Sequence, residues 1–518
     1  MNSLLNKLIQ LPANRLTWLM TVIGVLIAIQ INYIQHGWIN NDSVLYFEAA
    51  RLFTLGEWQQ GFQLFPWPLY SGLIALVHSI SGFSLHFSAQ ILNVLFFGIT
   101  TFSFLKLIRH CGGDNATLLC GALLLFSSQY IVGDALQMLL RDQGFWAFFL
   151  TGLVFFVRFY RSLSWTDAVV WQLAMITAML FRVEGITYLA VLPLTLLWHN
   201  DSSFRTICLA FIKAHSINLA LILTVTVYVS FTGLSVEHLG RLKEIFTPNL
   251  YQELTALFRY QSEIMAVQVL GKFLDEFATE GLILTFLFIL TSKTISTAGW
   301  ITVGLAIYVG KLRQQLIKDD IWHISVAVML IAVIDMFLII TKVFVLSGRY
   351  VVPLTLILLL LAAFGLRHLI GQLATKNTNK RYKWLVMVLM LILVLGMVKN
   401  VLPKREGYHY ELEAVAWLKQ HNPQNLPTYY ETPRLRYYAG EKFIGLGPEL
   451  NWSHLQTLIE KDQLDGYEYV LVSTNRDDPA RDLFLSERLT SHIKVTEFRG
   501  TKGKKSILIY HRRPASKP

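Results

Sequence analysis

The chain has 518 residues, 54% hydrophobic and 15% charged, with 45 basic against 34 acidic side chains and a formal net charge of +11. Soluble proteins of this length carry nearer a quarter charged residues. Disorder, a disulfide-stapled secreted scaffold and a collagen-like fibre are excluded, and so is an ordinary cytosolic enzyme if the apolar residues are clustered.

They are clustered. Residues 1–402 hold 46 charges, about 11% of positions, and residues 403–518 hold 33, about 28%. The first figure is that of a membrane body, in which every charge needs a reason to be there. The second is that of a soluble domain. The basic surplus builds no aromatic-interleaved groove, so nucleic acid is not an expected partner. It lies mostly in short loops between apolar runs, as a membrane-orientation signal does. Cys111, Cys120 and Cys208 show no metal-binding spacing and read as reduced packing residues.

In chain order, apolar runs long enough to span the hydrocarbon layer fall near 15–35, 87–108, 116–133, 143–160, 167–183, 185–198, 207–232, 281–310, 321–346, 351–369 and 384–402. This predicts an α-helical polytopic membrane protein with about eleven transmembrane helices. The run 281–310 contains Lys293 and reads as one long, tilted or broken crossing, with thirteen crossings in all as the upper count. The first run is too long for a signal peptide and lacks a small-residue cleavage site, which predicts a signal anchor.

Alternate loops collect the basic residues. One set contains Lys7, Arg15, Lys106, Arg109, Arg158, Arg161, Arg205, Lys213, Lys311, Arg313, Lys318, Arg367, Lys376, Lys380, Arg381 and Lys383. The short loops of the other set hold single arginines, Arg51, Arg141, Arg182 and Arg349. The first set is predicted to be cytoplasmic, which puts the N-terminus inside and residues 403–518 outside. The expected organisation is a membrane domain over 1–402, with external loops 36–86 and 233–280, and an extracytoplasmic domain over 403–518. In loop 36–86 the apolar run 69–80 is short enough for an interfacial or re-entrant helix. In 233–280, apolar residues at helical spacing read as a surface-lying amphipathic helix or a lid.

The C-terminal part alternates helix and strand signals: helix 411–420, strand 427–430, helix 434–439, strand 467–473, helix 479–489 and a closing hairpin of 493–497 with 506–511. This predicts a small α/β domain. It contains no Gly-rich phosphate loop.

The charges beside the expected spans are the candidates for chemistry. Asp42 either caps a helix running through Glu48 to Phe53 or serves as a general base, and the two roles can coexist. Arg141-Asp142, at the external start of the fourth span, is again a cap or a metal- or phosphate-binding pair. Arg182 and Glu184 flank the turn between spans five and six, as a snorkelling pair or as a site. Arg349-Tyr350 follows Ser347-Gly348 at another external mouth, where snorkelling Arg and belt Tyr also occur. Together these turns place acids and arginines at one membrane depth, where a lipid phosphate is the natural anion. Arginines offer bidentate donors to phosphate, and a carboxylate can take a hydroxyl proton. Asp335 lies mid-span and reads as a structural polar contact or a proton-relay group.

The segments Asp42-Ser43-Val44-Leu45-Tyr46 and Pro68-Leu69-Tyr70 resemble the first external loop of GT-C class glycosyltransferases. In particular they resemble the bacterial dolichyl-phosphate-mannose-protein mannosyltransferase and aminoarabinose transferase families. Leu140-Arg141-Asp142 is similar to their second acidic loop motif. Ser347-Gly348-Arg349-Tyr350-Val351-Val352-Pro353 is similar to their late arginine–tyrosine–proline helix, and Ala414–Leu418 and Tyr437–Gly440 to their external domain. The resemblance implies transfer of a sugar from a polyprenyl-phosphate carrier to a lipid, glycan or protein acceptor hydroxyl, with inversion, at the external face of a bacterial inner membrane. It implies Asp42 as base, Asp142 as a holder of a divalent cation (Mg or Mn) or an orienting group, and Arg349 with Arg182 on the leaving phosphate. Those families often carry a second acid directly after the first, and Ser43 stands there in this chain. Two other classes stay open: a transporter or flippase of a polyprenyl-linked glycan, and a non-catalytic envelope assembly protein.

Overall fold

The computed structural model describes residues 7–35, 37–199, 203–232, 250–373, 379–403, 409–441, 451–500 and 503–513. Lys376 of the set expected to be cytoplasmic, and residues 233–249 of the second loop expected to be external, lie outside the described residues.

Among the described residues, eight helices are long and apolar enough to cross a membrane. They are Ala13–Ile34, Leu85–His110, Asp142–Ser162, Phe204–Tyr228, Asp275–Ala298, Asp319–Val343, Gly348–Gln372 and Lys380–Val401. A ninth candidate, Asn115–Ser127 with Gln129–Met138, is bent by 44°. The chain is therefore a multi-pass membrane protein. Several of the expected crossings are not single long helices. At the bend, Ser128 leaves helical geometry and a π-helix follows over Gln129–Ala135. Asn400 fills the break, its Nδ2 donating to the Phe126 and Ser128 carbonyls at 3.0 and 3.2 Å. Buried carbonyls freed from a helix need such a donor. The run 281–310 divides at Gly299, whose φ of +82° stops one helix at Ala298 and starts the next at Trp300. The run 185–198 is a short α-helix, Gly185–Val191, followed by a 3₁₀ segment carrying Pro193, too short to cross alone. Its neighbour Trp165–Phe181 has 17 residues.

The chain forms two compact units, residues 1–31, 91–136 and 141–401 in one, residues 32–90, 137–140 and 402–518 in the other. In the first, the Gly348–Gln372 helix is the most enclosed element. It packs against Asn115–Ser127, Ala278–Ala298, Trp300–Lys311 and Asp319–Val343. Small residues make this possible: Ala362 and Ala363 are fully buried, and a Cβ on Gly365 would stand 3.0 Å from the Leu305 carbonyl. Close approach of backbones is how helices gain packing where water supplies no drive. Outward faces, such as Leu221, Leu223, Trp384 and Leu391, remain exposed and apolar.

In the second unit, four strands form a mixed sheet in the order β1-β2-β4-β3, with β1 Thr428–Tyr430, β2 Tyr469–Asn475, β3 His492–Arg499 and β4 Lys505–Arg512. β1 runs parallel to β2, and the other pairs are antiparallel. Alternate residues feed two cores. Tyr430, Tyr469, Leu471, Ile507 and Ile509 pack with the His409–His421 and Pro433–Ala439 helices. Tyr429, Val470, Val472, Leu508 and Tyr510 pack with Trp452–Glu460 and Pro479–Arg488. A central strand covered on both faces reads as a continuous apolar run, which is why β2 and β4 were legible. Trp452–Glu460 is an additional helix, capped by Asn451 through the His454 amide.

Leu471 is fully buried on the central strand. Leu471→Ala should destabilise this sheet by about 2–5 kcal/mol, the cost of a core cavity. Hydrogen exchange on the intact protein should show lost protection in β1, β2 and β4, with the membrane helices unchanged.

Candidate functional site

The first unit gathers Arg182, Glu184, Asp335, Arg349 and Tyr350 around one small pocket, with Phe145, Tyr188, Ile339 and Pro353 completing its walls. Two changes of chain direction deliver four of them, and Asp335 comes from within the helix Asp319–Val343. Arg182 is the first extended residue after Trp165–Phe181, at φ −149° and ψ 130°. Glu184 then starts the helix from Gly185. A Cβ on Gly185 would stand 2.7 Å from the Met179 backbone nitrogen, so this tight turn needs glycine. Arg349 and Tyr350 open the Gly348–Gln372 helix. Gly348 lets the Tyr130 ring lie where a side chain would otherwise be, 2.5 Å from an added Cβ.

Arg182 is the centre of the pocket's charge. It is 3% exposed, and its guanidinium bonds both the Asp142 carboxylate and, at 2.6 Å, Glu184 Oε1. Its Nε donates to Glu184 Oε2 at 3.3 Å, and the Tyr350 ring lies 4.4 Å away on its face. Two acids and an aromatic face thus surround one cation in a buried setting, where unpaired charges are costly. The snorkelling alternative for Arg182 is not what forms. The capping alternative for Asp142 is not realised either: it opens its helix with no side-chain cap bond, fully buried, its Oδ1 on Arg182.

Arg141 occupies the position before that helix and does not line the pocket, although its charge and that of Arg349 act on Asp142. Arg349 lies 5.7 Å from the Tyr350 ring. Asp335 accepts from Thr187 Oγ1 at 2.8 Å, and the same hydroxyl reaches the Glu184 carbonyl at 2.6 Å. The mid-span carboxyl therefore makes a structural polar contact and also faces the pocket. Thr187, Tyr188 and Tyr130 carry no sequence signal of function. Only the one-turn spacing of Thr187 and Tyr188 from Glu184 could have drawn attention to the first two.

The expectation of a divalent cation at Asp142 meets a poor fit. The guanidinium of Arg182 stands between the two carboxylates that would have to share a metal. Among the described residues no group of three or more His, Cys, Asp or Glu side chains is placed to hold one. This donor set suits a planar cation and not a hydrated dication.

Asp42 belongs to the second unit. Asn40, not Asp42, caps its helix: Asn40 Oδ1 accepts from the Asp42 amide at 3.0 Å, and the helix runs Asn41–Thr54. Asp42 stands in the first turn, half-exposed, where a carboxylate also suits the helix dipole. The residue after it has a distinct task. Ser43 is fully buried, and its Oγ donates to the Met138 carbonyl at 2.8 Å and the Leu139 carbonyl at 3.3 Å. Leu139 has a φ of 52°, and Tyr70 Oη donates to the same carbonyl at 3.3 Å. A second acid at this position would turn a carboxylate onto two carbonyl oxygens. Further along, Phe47 stacks on Tyr437 at 5.7 Å, and the Ile39 amide donates to Tyr438 Oη at 3.1 Å. The Tyr437-Tyr438 pair thus seats the Asp42 helix and the turn before it.

No protein-family model matches the chain, and no curated protein sequence matches it. Among solved structures it is similar to the archaeal oligosaccharyltransferase AglB from Archaeoglobus fulgidus, in complex with an inhibitory peptide and a dolichol-phosphate. The identity is 12% over 97% of this chain and 75% of that one, with a TM-score of 0.46. It is also similar to apo ArnT from Cupriavidus metallidurans, with 14% identity over 94% of this chain and 97% of that one and a TM-score of 0.40.

Removing one member of the buried ion group should cost more than removing two. Arg182→Met leaves two carboxylates facing each other without a counter-charge and should lower stability by about 3–5 kcal/mol. Adding Asp142→Leu should recover part of that loss, read as unfolding midpoints in mild detergent. Ser43→Ala should cost only about 1 kcal/mol, one hydrogen bond. Ser43→Asp should cost clearly more.

Proposed function

We propose that the chain is an integral-membrane glycosyltransferase that moves a sugar from a polyprenyl-phosphate carrier to an acceptor hydroxyl of a lipid, glycan or protein. The observation that carries this reading is the convergence of Arg182, Glu184, Arg349 and Tyr350 on one pocket, with Asp142 bound to Arg182. They come from separate turns at the ends of membrane helices. Guanidinium groups held at that level suit the phosphate of a membrane lipid. Transfer to such an acceptor also suits the two units, one built of membrane helices and one carrying a polar α/β layer.

In this reading the Asp42 carboxylate takes the acceptor's hydroxyl proton. The acceptor oxygen forms the new bond to the anomeric carbon with inversion. The bond from that carbon to the phosphate oxygen breaks, and polyprenyl phosphate leaves with the electron pair. Charge grows on the phosphate as it departs, so fixed cations help most there. Arg349 takes that role. Arg182, compensated by Asp142 and Glu184, keeps the pocket in shape and presents Tyr350. No metal is needed for this charge arrangement. In this reading the N-terminus lies in the cytoplasm and the C-terminal domain outside, in a bacterial inner membrane, and the uneven spread of basic residues among alternate loops supports that orientation.

The reading is tested with purified protein in detergent, a polyprenyl-phosphate sugar, and mass spectrometry of released polyprenyl phosphate. Asp42→Asn should slow transfer by about 10²–10⁴-fold, the worth of a general base, with an unchanged unfolding midpoint. Arg349→Ala should lower kcat and kcat/KM for the donor by about 10–100-fold, the worth of a charge-assisted bond that strengthens in the transition state. A chelator should leave the rate unchanged. Full transfer by Asp42→Asn protein would overturn the assignment of the base. Activity that needs sealed vesicles, with no polyprenyl phosphate released in detergent, would point to transport instead.

A further inference from the structure

The first unit carries a second feature, distinct from the arginine pocket and independent of the sugar-transfer reading. A groove of about 780 Å³ runs between the helices Ala13–Ile34, Leu85–His110 and Asp142–Ser162. That volume lies within the range of small-molecule sites, about 300–1,000 Å³. Its walls are almost wholly apolar, among them Val25, Val94, Phe102 and Phe155. Gly98 also lines it, and a Cβ there would press on Val25 Cγ2 at 3.0 Å.

One end of the groove is basic. Lys106, His110 and Arg158 line it there, and the exposed Trp18 ring packs on Phe102 at 4.8 Å near the same end. Arg158 is balanced by Asp167 at 2.9 Å. Lys106 is placed differently: its Nζ donates to Asn14 Oδ1 at 2.9 Å and stands 5.5 Å from the Phe102 ring, and neither partner is charged. A half-buried ammonium beside an apolar trough, with an indole at the mouth, matches a molecule with an anionic head and an aliphatic tail. Position separates this end from the arginine pocket. Arg158 lies sixteen residues along one helix from Asp142, about 24 Å at the helical rise. That is close to the thickness of the hydrocarbon layer, about 30 Å.

We infer that this groove seats an acyl chain of one anionic phospholipid, its headgroup phosphate on Lys106, in the leaflet opposite the arginine pocket. Lys106 Nζ donates to a phosphate oxygen, and the chain lies along Phe102, Val94 and Val25. A zwitterionic lipid fills the same trough but carries its own cation to the ammonium, so the site selects by charge.

Native mass spectrometry of the full chain tests this, with phosphatidylglycerol and phosphatidylcholine of identical acyl chains as probes. One phosphatidylglycerol should be retained at activation energies that strip phosphatidylcholine. Lys106→Gln should lower its retention about fivefold, the effect of one basic residue on an anionic lipid, and leave phosphatidylcholine unchanged. Val94→Trp, which fills the trough, should remove both lipids; if that variant does not fold, Lys106→Gln decides by itself. Equal retention of the two lipids by the unmodified protein, or unchanged phosphatidylglycerol binding in Lys106→Gln, overturns the proposal. So does loss of the lipid in Arg349→Gln but not in Lys106→Gln, since that places it at the arginine pocket.

Discussion

An arginine buried to 3% exposure in an apolar body has nowhere to place its charge except on its neighbours. Moving an ion out of water costs several kcal/mol even after relaxation, so Arg182 can stand where it does only because Asp142 and Glu184 stand there too. Much of the first unit is arranged to satisfy this. Trp165–Phe181 ends in an extended residue, the next turn is tight enough to require Gly185, and the Asp142–Ser162 helix begins on a buried carboxylate in place of an ordinary cap. Tyr350 covers the guanidinium face, which fixes the start of the Gly348–Gln372 helix. Tyr130 fits against Gly348 from a π-helical segment, and Asn400 donates to the carbonyls at the break before it.

This commitment changes the division of labour among the arginines. From the sequence, Arg349 is the first candidate for a leaving phosphate and Arg182 the second. In the fold, Arg182 directs its donors to two carboxylates and serves as a strut. In the proposed reading the leaving phosphate falls to Arg349. Asp335 joins the group from a different helix through Thr187, so a carboxyl that looked isolated in mid-span is part of a connected polar chain ending at Glu184. In the second unit, the serine that follows Asp42 is explained by packing: it is a donor to two carbonyls in a strained turn.

The long apolar runs, the charge contrast at residue 402 and the short continuous apolar runs Tyr469–Val472 and Ile507–Tyr510 made the membrane body and the α/β layer legible in advance, because hydrophobic patterning is a local property. Positions where the chain turns are also local, and the acids and arginines there were found for that reason. The breaks in the spans were harder to see. Gly299 and Pro193 are visible as residues, but whether a helix stops at them depends on what packs beside it. The break at Ser128 is supported by an asparagine 272 residues away, so nothing near it in the chain announces it. The cap of the Asp42 helix was misplaced by two residues, since Asn40 and Asp42 are both good caps and only the backbone geometry chooses between them.

Composition and pattern were sufficient to establish a multi-pass helical body, a polar C-terminal α/β layer and the set of charged turns from which a site could be built, since each follows from a residue's own cost of burial. Pairing followed from the fold. Arg182 meets Asp142 across forty residues and Thr187 meets Asp335 across 148, and the sequence does not announce either of these two contacts. A buried charge states that it must be compensated. Which side chain compensates it is settled when the helices pack.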